Sequence, residues 1–166
     1  MKYNSIGEYF YRLSNRCLVL VLFPVVVVLI AYSANRYFLE GLPWIKADGI
    51  VLGQLLGFEM GVLGLLATIQ HWMVADKLKK LISEPSLGKR ISGYVPVVVI
   101  RFRALSMMIL AIGLIVFLTG ELLLLSTLLI CAFLLFVYWP FPKRMSKDLK
   151  LNQSEADILK NSSLGV

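Results

Sequence analysis

Residues 49–74 read GIVLGQLLGFEMGVLGLLATIQHWMV, and this stretch decides the fold. Gly49, Gly53, Gly57 and Gly61 fall four residues apart, and Gly64 lies in the middle of the same arc on a helical wheel. In water such a segment would be a poor helix, because each interior glycine costs about 1 kcal/mol relative to alanine. In hydrocarbon the backbone has no other hydrogen-bond partners, so the helix is enforced. The glycines then form a flat face on which another helix can approach closely. The segment therefore reads as a transmembrane helix built for helix packing.

Composition agrees with that reading. Of 166 residues, 58% are hydrophobic and 16% charged, whereas soluble domains carry about 25% charged residues. Working outward from residues 49–74, three further apolar runs occupy residues 17–34, 104–119 and 122–139. Each reaches or approaches the roughly 20 residues that a bilayer requires. Residues 96–102 would supply an interfacial first turn to the third run. Thr119-Gly120-Glu121 separates the last two as a tight antiparallel hairpin. The expected fold is an all-α integral membrane protein with a four-helix transmembrane domain over residues 1–142 and a basic tail over 143–166. A basic start followed by an apolar run also resembles a secretory signal, but the run exceeds the 7–15 residues of a signal core.

Charge sets the orientation. The arm before the first span, the loop after the second and the tail hold fifteen of the seventeen lysines and arginines. The first loop has only Arg36 and Lys46, set against Glu40 and Asp48. The positive-inside rule then places both termini in the cytoplasm of a bacterial inner-membrane protein. A pI near 9.5 restates this bias and does not point to nucleic acid. Trp44, Trp72 and Trp139 fall at span ends, where aromatic belts form. Before the first span, Ile6, Tyr9, Phe10 and Leu13 make one apolar helical face, read as an interfacial arm over residues 1–16. In the tail, Asn152 and Glu155 have capping-box spacing for a helix carrying Ile158 and Leu159. Arg101, Arg103, Lys143 and Arg144 are expected to contact anionic lipid.

Glu59 is the chemically unusual residue, about 13 Å below the outer start of its span at 1.5 Å per residue. An ionisable group at that depth is a functional-site candidate. It lies away from the glycine arc, so the helix has two faces that need partners, which suggests a central place in the bundle. Arg101 and Arg103 belong to the cytoplasmic end, roughly 22 Å from Glu59 along the helix. Ser126 and Thr127 are closer in level, and a protonated Glu59 hydrogen-bonded to these hydroxyls avoids a charge in hydrocarbon. His71, Cys17 and Cys131 have no ligand-spaced neighbours, so no metal or cofactor site is expected. No nucleophile–base pair, phosphate loop or HExxH is present, and the chain is not expected to be an enzyme.

From Arg101 or Arg103 onward, Thr119-Gly120, Pro142-Lys143 and Asp148-Leu149-Lys150-Leu151 form a pattern. It resembles small four-span membrane proteins of Bacteroidota-type bacteria, although Ala104-Leu105-Ser106 stands where those would have a Glu-Gly pair. The resemblance implies the four-span fold and no activity. The residues themselves point to a structural or accessory component that packs through its glycine face. Its partners would be the lipid bilayer together with a homo-oligomer or the subunits of a larger complex. The alternative is a small oligomeric transporter or channel in which Glu59 binds a proton or cation.

Overall fold

The computed structural model describes residues 6–38 and 49–163. Expectations for Glu40, Trp44, Lys46 and Asp48 lie outside these residues. All regular elements among the described residues are helical: α1 (Ile6–Phe38), α2 (Gly49–Ile82), α3 (Leu87–Thr119), a short 3-10 helix (Leu122–Thr127), α4 (Leu128–Tyr138), α5 (Pro142–Asp148) and α6 (Gln153–Ser163). Three helices are long and apolar enough to cross a membrane, or four if Leu123–Tyr138, which joins the 3-10 helix to α4, is counted with α5 as one span bent by 80°. Apolar side chains such as Val19, Phe23, Phe58, Leu65, Leu129 and Phe136 face outward. In lipid this exposure carries no penalty, because the surrounding tails are themselves apolar.

The helix α3 stands at the centre and packs against α1, α2 and α4. This corrects the expectation that the glycine-bearing α2 is central. The stripe Val97, Val98, Arg101, Phe102, Leu105, Met108, Ile109, Ile112, Gly113 and Val116 is buried at spacings of three and four, the pattern of a wide helical face. By contrast, α2 buries only Glu59, Leu63, Gln70 and Val74, all on one side.

Two local features bring α1 against α3. Pro24, inside α1, has no N–H, which frees the carbonyl of Leu20 four residues earlier. Ser106 of α3 donates its hydroxyl to that carbonyl and also lies 2.9 Å from its own helix's Phe102 carbonyl. Gly113 faces Val28, and a methyl group in its place would collide with Val28 Cγ2 and sit 3.1 Å from Val28 Cβ. Further pairs tie the ends: Tyr9 donates to the carbonyl of Ile91 at 2.9 Å, and Asn35 Nδ2 to that of Phe117 at 2.5 Å. The two helices therefore run parallel along their whole length.

Helix lengths differ from the sequence expectation in an informative way. The 33 residues of α1 and of α3 span about 50 Å, well beyond a hydrocarbon core of about 30 Å. Of the arm expected over residues 1–16, the described part from Ile6 belongs to α1 and is not a separate interfacial helix. Nor does the third helix begin near residue 104, since it starts at Leu87. The fourth expected span opens as a 3-10 helix and not as uniform α-helix. Gly120 ends α3 in the left-handed region at φ 71° and donates to the carbonyl of Val116 at 2.8 Å, a position that suits glycine.

The overhanging ends of α1, α2 and α3 join α5 and α6 in a second core. Tyr9, Leu13, Cys17, Val74, Tyr94, Phe102, Met145, Leu149 and Leu159 pack together there. The described part of the segment expected as a basic tail, α5 and α6, is thus folded against the bundle. Asn152 Oδ1 accepts from the Glu155 N–H at 2.9 Å, and Glu155 Oε2 from the Asn152 N–H at 3.1 Å. This reciprocal capping box starts α6, which buries Leu159 and leaves Ile158 exposed.

Candidate functional site: a buried carboxyl and an open glycine face

Glu59 projects from α2 into the core built from Leu63, Leu105, Leu124 and Cys131, and is 1% exposed. Thr127, at the end of the 3-10 helix, is its partner: Thr127 Oγ1 lies 2.7 Å from Glu59 Oε1 and 2.7 Å from the carbonyl of Leu124. One hydroxyl has one proton. A chain in which protonated Glu59 donates to Thr127, and Thr127 to Leu124, leaves no charge in hydrocarbon and uses every proton. The second carboxyl oxygen, Oε2, is buried and has no hydrogen-bond partner among the described residues. Of the two hydroxyls expected near Glu59, only Thr127 reaches it. Ser126 is exposed, because adjacent residues on a three-per-turn helix point in directions about 120° apart.

The glycine face behaves differently from a packing seam inside the chain. A Cβ built at Gly49, Gly53, Gly57, Gly61 or Gly64 would meet nothing within 4 Å. None of these glycines serves close packing against α1 or α3. The close approach within the chain is made by Gly113, which the sequence reading missed. A single glycine amid aliphatic residues carries no spacing signal, whereas repeated GxxxG spacing does. Thr68 spends its hydroxyl on the Gly64 carbonyl at 2.8 Å, on the same open face. His71 is exposed beside it. Among the described residues, no three His, Cys, Asp or Glu side chains gather as metal ligands.

At the juxtamembrane end the structure assigns the charges more sharply than sequence could. Arg101, expected to contact anionic lipid, is buried and bonds Asp148 Oδ2 through Nη1 at 2.5 Å. Tyr94 donates to the same oxygen at 2.6 Å, and Arg144 Nε lies 3.2 Å from Oδ1. The guanidinium of Arg101 also sits 5.6 Å from the Tyr138 ring centroid. Arg101 is thus engaged inside the protein, and Arg144 is engaged by the same carboxylate. The cause is geometric: α5 folds back over α3, where Tyr94 and Arg101, two turns apart, share one face. Burial pushes the Asp148 carboxyl up, but hydrogen bonds from Arg101 and Tyr94 and the charges of Arg101 and Arg144 outweigh it, leaving it below the usual aspartate range. Arg90 and Glu155 pair nearby, tying α3 to α6. Arg103 and Lys143 are exposed.

No protein-family model, curated protein or solved structure matches this chain.

Proposed function

We propose that this chain is a four-span inner-membrane protein with both termini in the cytoplasm, acting without catalysis as an accessory component. Its open α2 face docks a transmembrane helix of a second copy or of a larger complex. The observation that carries this reading is the empty space around Gly49, Gly53, Gly57, Gly61 and Gly64. A glycine-lined face matters only when a neighbour comes close, and the described residues of this chain supply none there. The fourth span is supported by length. Six residues of 3-10 helix followed by eleven of α-helix rise about 28 Å, close to the hydrocarbon thickness. The antiparallel turn at Gly120 and the basic bias of the helix ends fit the same topology.

Replacing Gly57 by leucine tests the docking. The expected result is a smaller particle mass for protein purified in mild detergent, with the thermal stability of the isolated chain retained. An unchanged mass would rule the docking face out. A second reading, a small oligomeric transporter or channel with Glu59 as a proton or cation site, is favoured by the unpartnered Oε2. Glu59→Gln would then abolish both carbodiimide labelling and ion flux in proteoliposomes. Unaltered flux would remove that reading.

A further inference from the structure

The fourth span ends at Tyr138, and α5 leaves it at an angle of 80°. Both ends of α5 sit at one level of α3. Trp139, just before α5, packs edge-on against Phe102, and Asp148 at its end bonds the neighbouring Arg101. The uncharged apolar run of α3 begins two residues later, at Ala104, so α5 lies along the boundary between hydrocarbon and headgroups. Met145 and Leu149, one turn apart and fully buried, form its inner face. Lys143 and Lys147, also one turn apart, lie on the opposite side and are exposed, as is Phe141 at the N-cap. Lys150 continues the row just past the helix and is exposed too. It stands at φ 49°, its N–H reaching the Lys147 carbonyl at 3.3 Å, while the Leu151 N–H reaches that of Ser146 at 3.0 Å. Glycine takes this left-handed closing position without steric cost. A lysine there is strained, and an outlier of this kind points to a use for the side chain.

We infer that this lysine row docks α5 on a leaflet of anionic phospholipid. The ammonium groups of Lys147 and Lys150 meet lipid phosphates, and their stems lie along the apolar boundary. Phe141 enters the interface beside them, where aromatic rings are favoured. Lys143 adds less, because Asp157 lines the same cleft. Arg101 and Arg144 act inward instead, holding Asp148. The lipid contact therefore clamps α5 from outside over the ion pairs that hold it from within. This docking rests on the membrane placement proposed above and is independent of the glycine face. A chain that failed to enter bilayers would overturn both placement and docking, whereas one that entered them and ignored headgroup charge would overturn the docking alone.

The test is amide hydrogen exchange of α5 in the full chain, reconstituted in nanodiscs of phosphatidylcholine alone or with an equal amount of phosphatidylglycerol. Amides that exchange when α5 lifts off should slow by about 30-fold in the anionic discs, the factor that two juxtamembrane cations supply. High salt should erase most of that gain, and inorganic phosphate added to phosphatidylcholine discs should not reproduce it. In the Lys147→Gln, Lys150→Gln variant, exchange is nearly equal in the two discs. Lys150→Gly separates lipid contact from folding and keeps the test sharp if the double variant does not fold. Relief of the left-handed strain leaves α5 at least as protected as the parent in phosphatidylcholine, yet the gain from phosphatidylglycerol is about fivefold smaller. Lys77→Gln with Lys79→Gln, on the exposed end of α2, leaves the gain intact. Equal exchange in the two discs, an undiminished gain in either α5 variant, loss of the gain in the α2 variant, or protection by free phosphate would overturn the docking. So would protection of α5 that appears only in native membranes, which would assign the row to an acidic protein.

Discussion

Gly113→Ala is the smallest change that tests the core. Its Cβ would collide with Val28 Cγ2 and lie 3.1 and 3.2 Å from Val28 Cβ and Cγ1. Val28 is buried, and a β-branched side chain in a helix has essentially one χ1 well, so it cannot swing aside. The helices α1 and α3 must separate instead, and overpacking of this kind costs about 1–3 kcal/mol. Alanine's intrinsic helix preference, about 1 kcal/mol in water, offsets little of this because lipid already enforces the helix. Net destabilisation of about 1–2 kcal/mol is expected from reversible unfolding in mixed micelles or bicelles. Gly57→Ala, which adds its methyl to open space, should leave the isolated chain's stability within about 0.5 kcal/mol of the parent. Adding Val28→Ala to Gly113→Ala should recover part of the loss, revealing coupling of about 1 kcal/mol or more. The packing argument fails if the two alanine substitutions cost the same, or if the double variant is simply additive.

Two further expectations follow from the polar pairs. Thr127→Val removes the hydrogen-bond partner that Glu59 has among the described residues and should cost roughly 0.6–1.7 kcal/mol, the range for polar pairs between membrane helices. The same change in a Glu59→Leu background should cost less, as unfolding of all four variants would reveal. Asp148→Asn leaves the buried Arg101 without its counter-charge and should destabilise the juxtamembrane core by roughly 3 kcal/mol. Because Asp148 is held below the ordinary aspartate range, the unfolded chain binds its proton first as pH falls. Its contribution is therefore complete above about pH 4 and lost as pH drops through the lower folded value. Proteolysis of α5 and α6 should accelerate over that acid window in the parent and already be fast at neutral pH in the variant.

Residues 49–74 were legible as a membrane helix because length and apolarity suffice for that, and the regularity of the glycines was equally plain. Their environment was not. In a span that is apolar all round, hydrophobic periodicity no longer distinguishes lipid from protein, so the central place of α3 and the one-sided burial of α2 left no mark. Thr127 was legible as a partner of Glu59 through depth alone, whereas its neighbour Ser126 was separated from it only by the 3-10 geometry. The Arg101–Asp148 pair spans 47 residues. It depends on α5 folding back over α3, a turn that no local pattern announces. Pro24 and Ser106 could have been linked only by knowing that α1 and α3 touch.

The central claim is that the glycine face of α2 meets another protein helix and not lipid alone. The most direct measurement places a photoactivatable diazirine side chain at Leu65, an exposed position bordering that face, and leaves every glycine intact. Irradiation in native membranes should yield a protein–protein adduct from position 65, whereas the same group at the outward-facing Leu129 of α4 should label lipid. Lipid-only adducts at both positions would contradict the account.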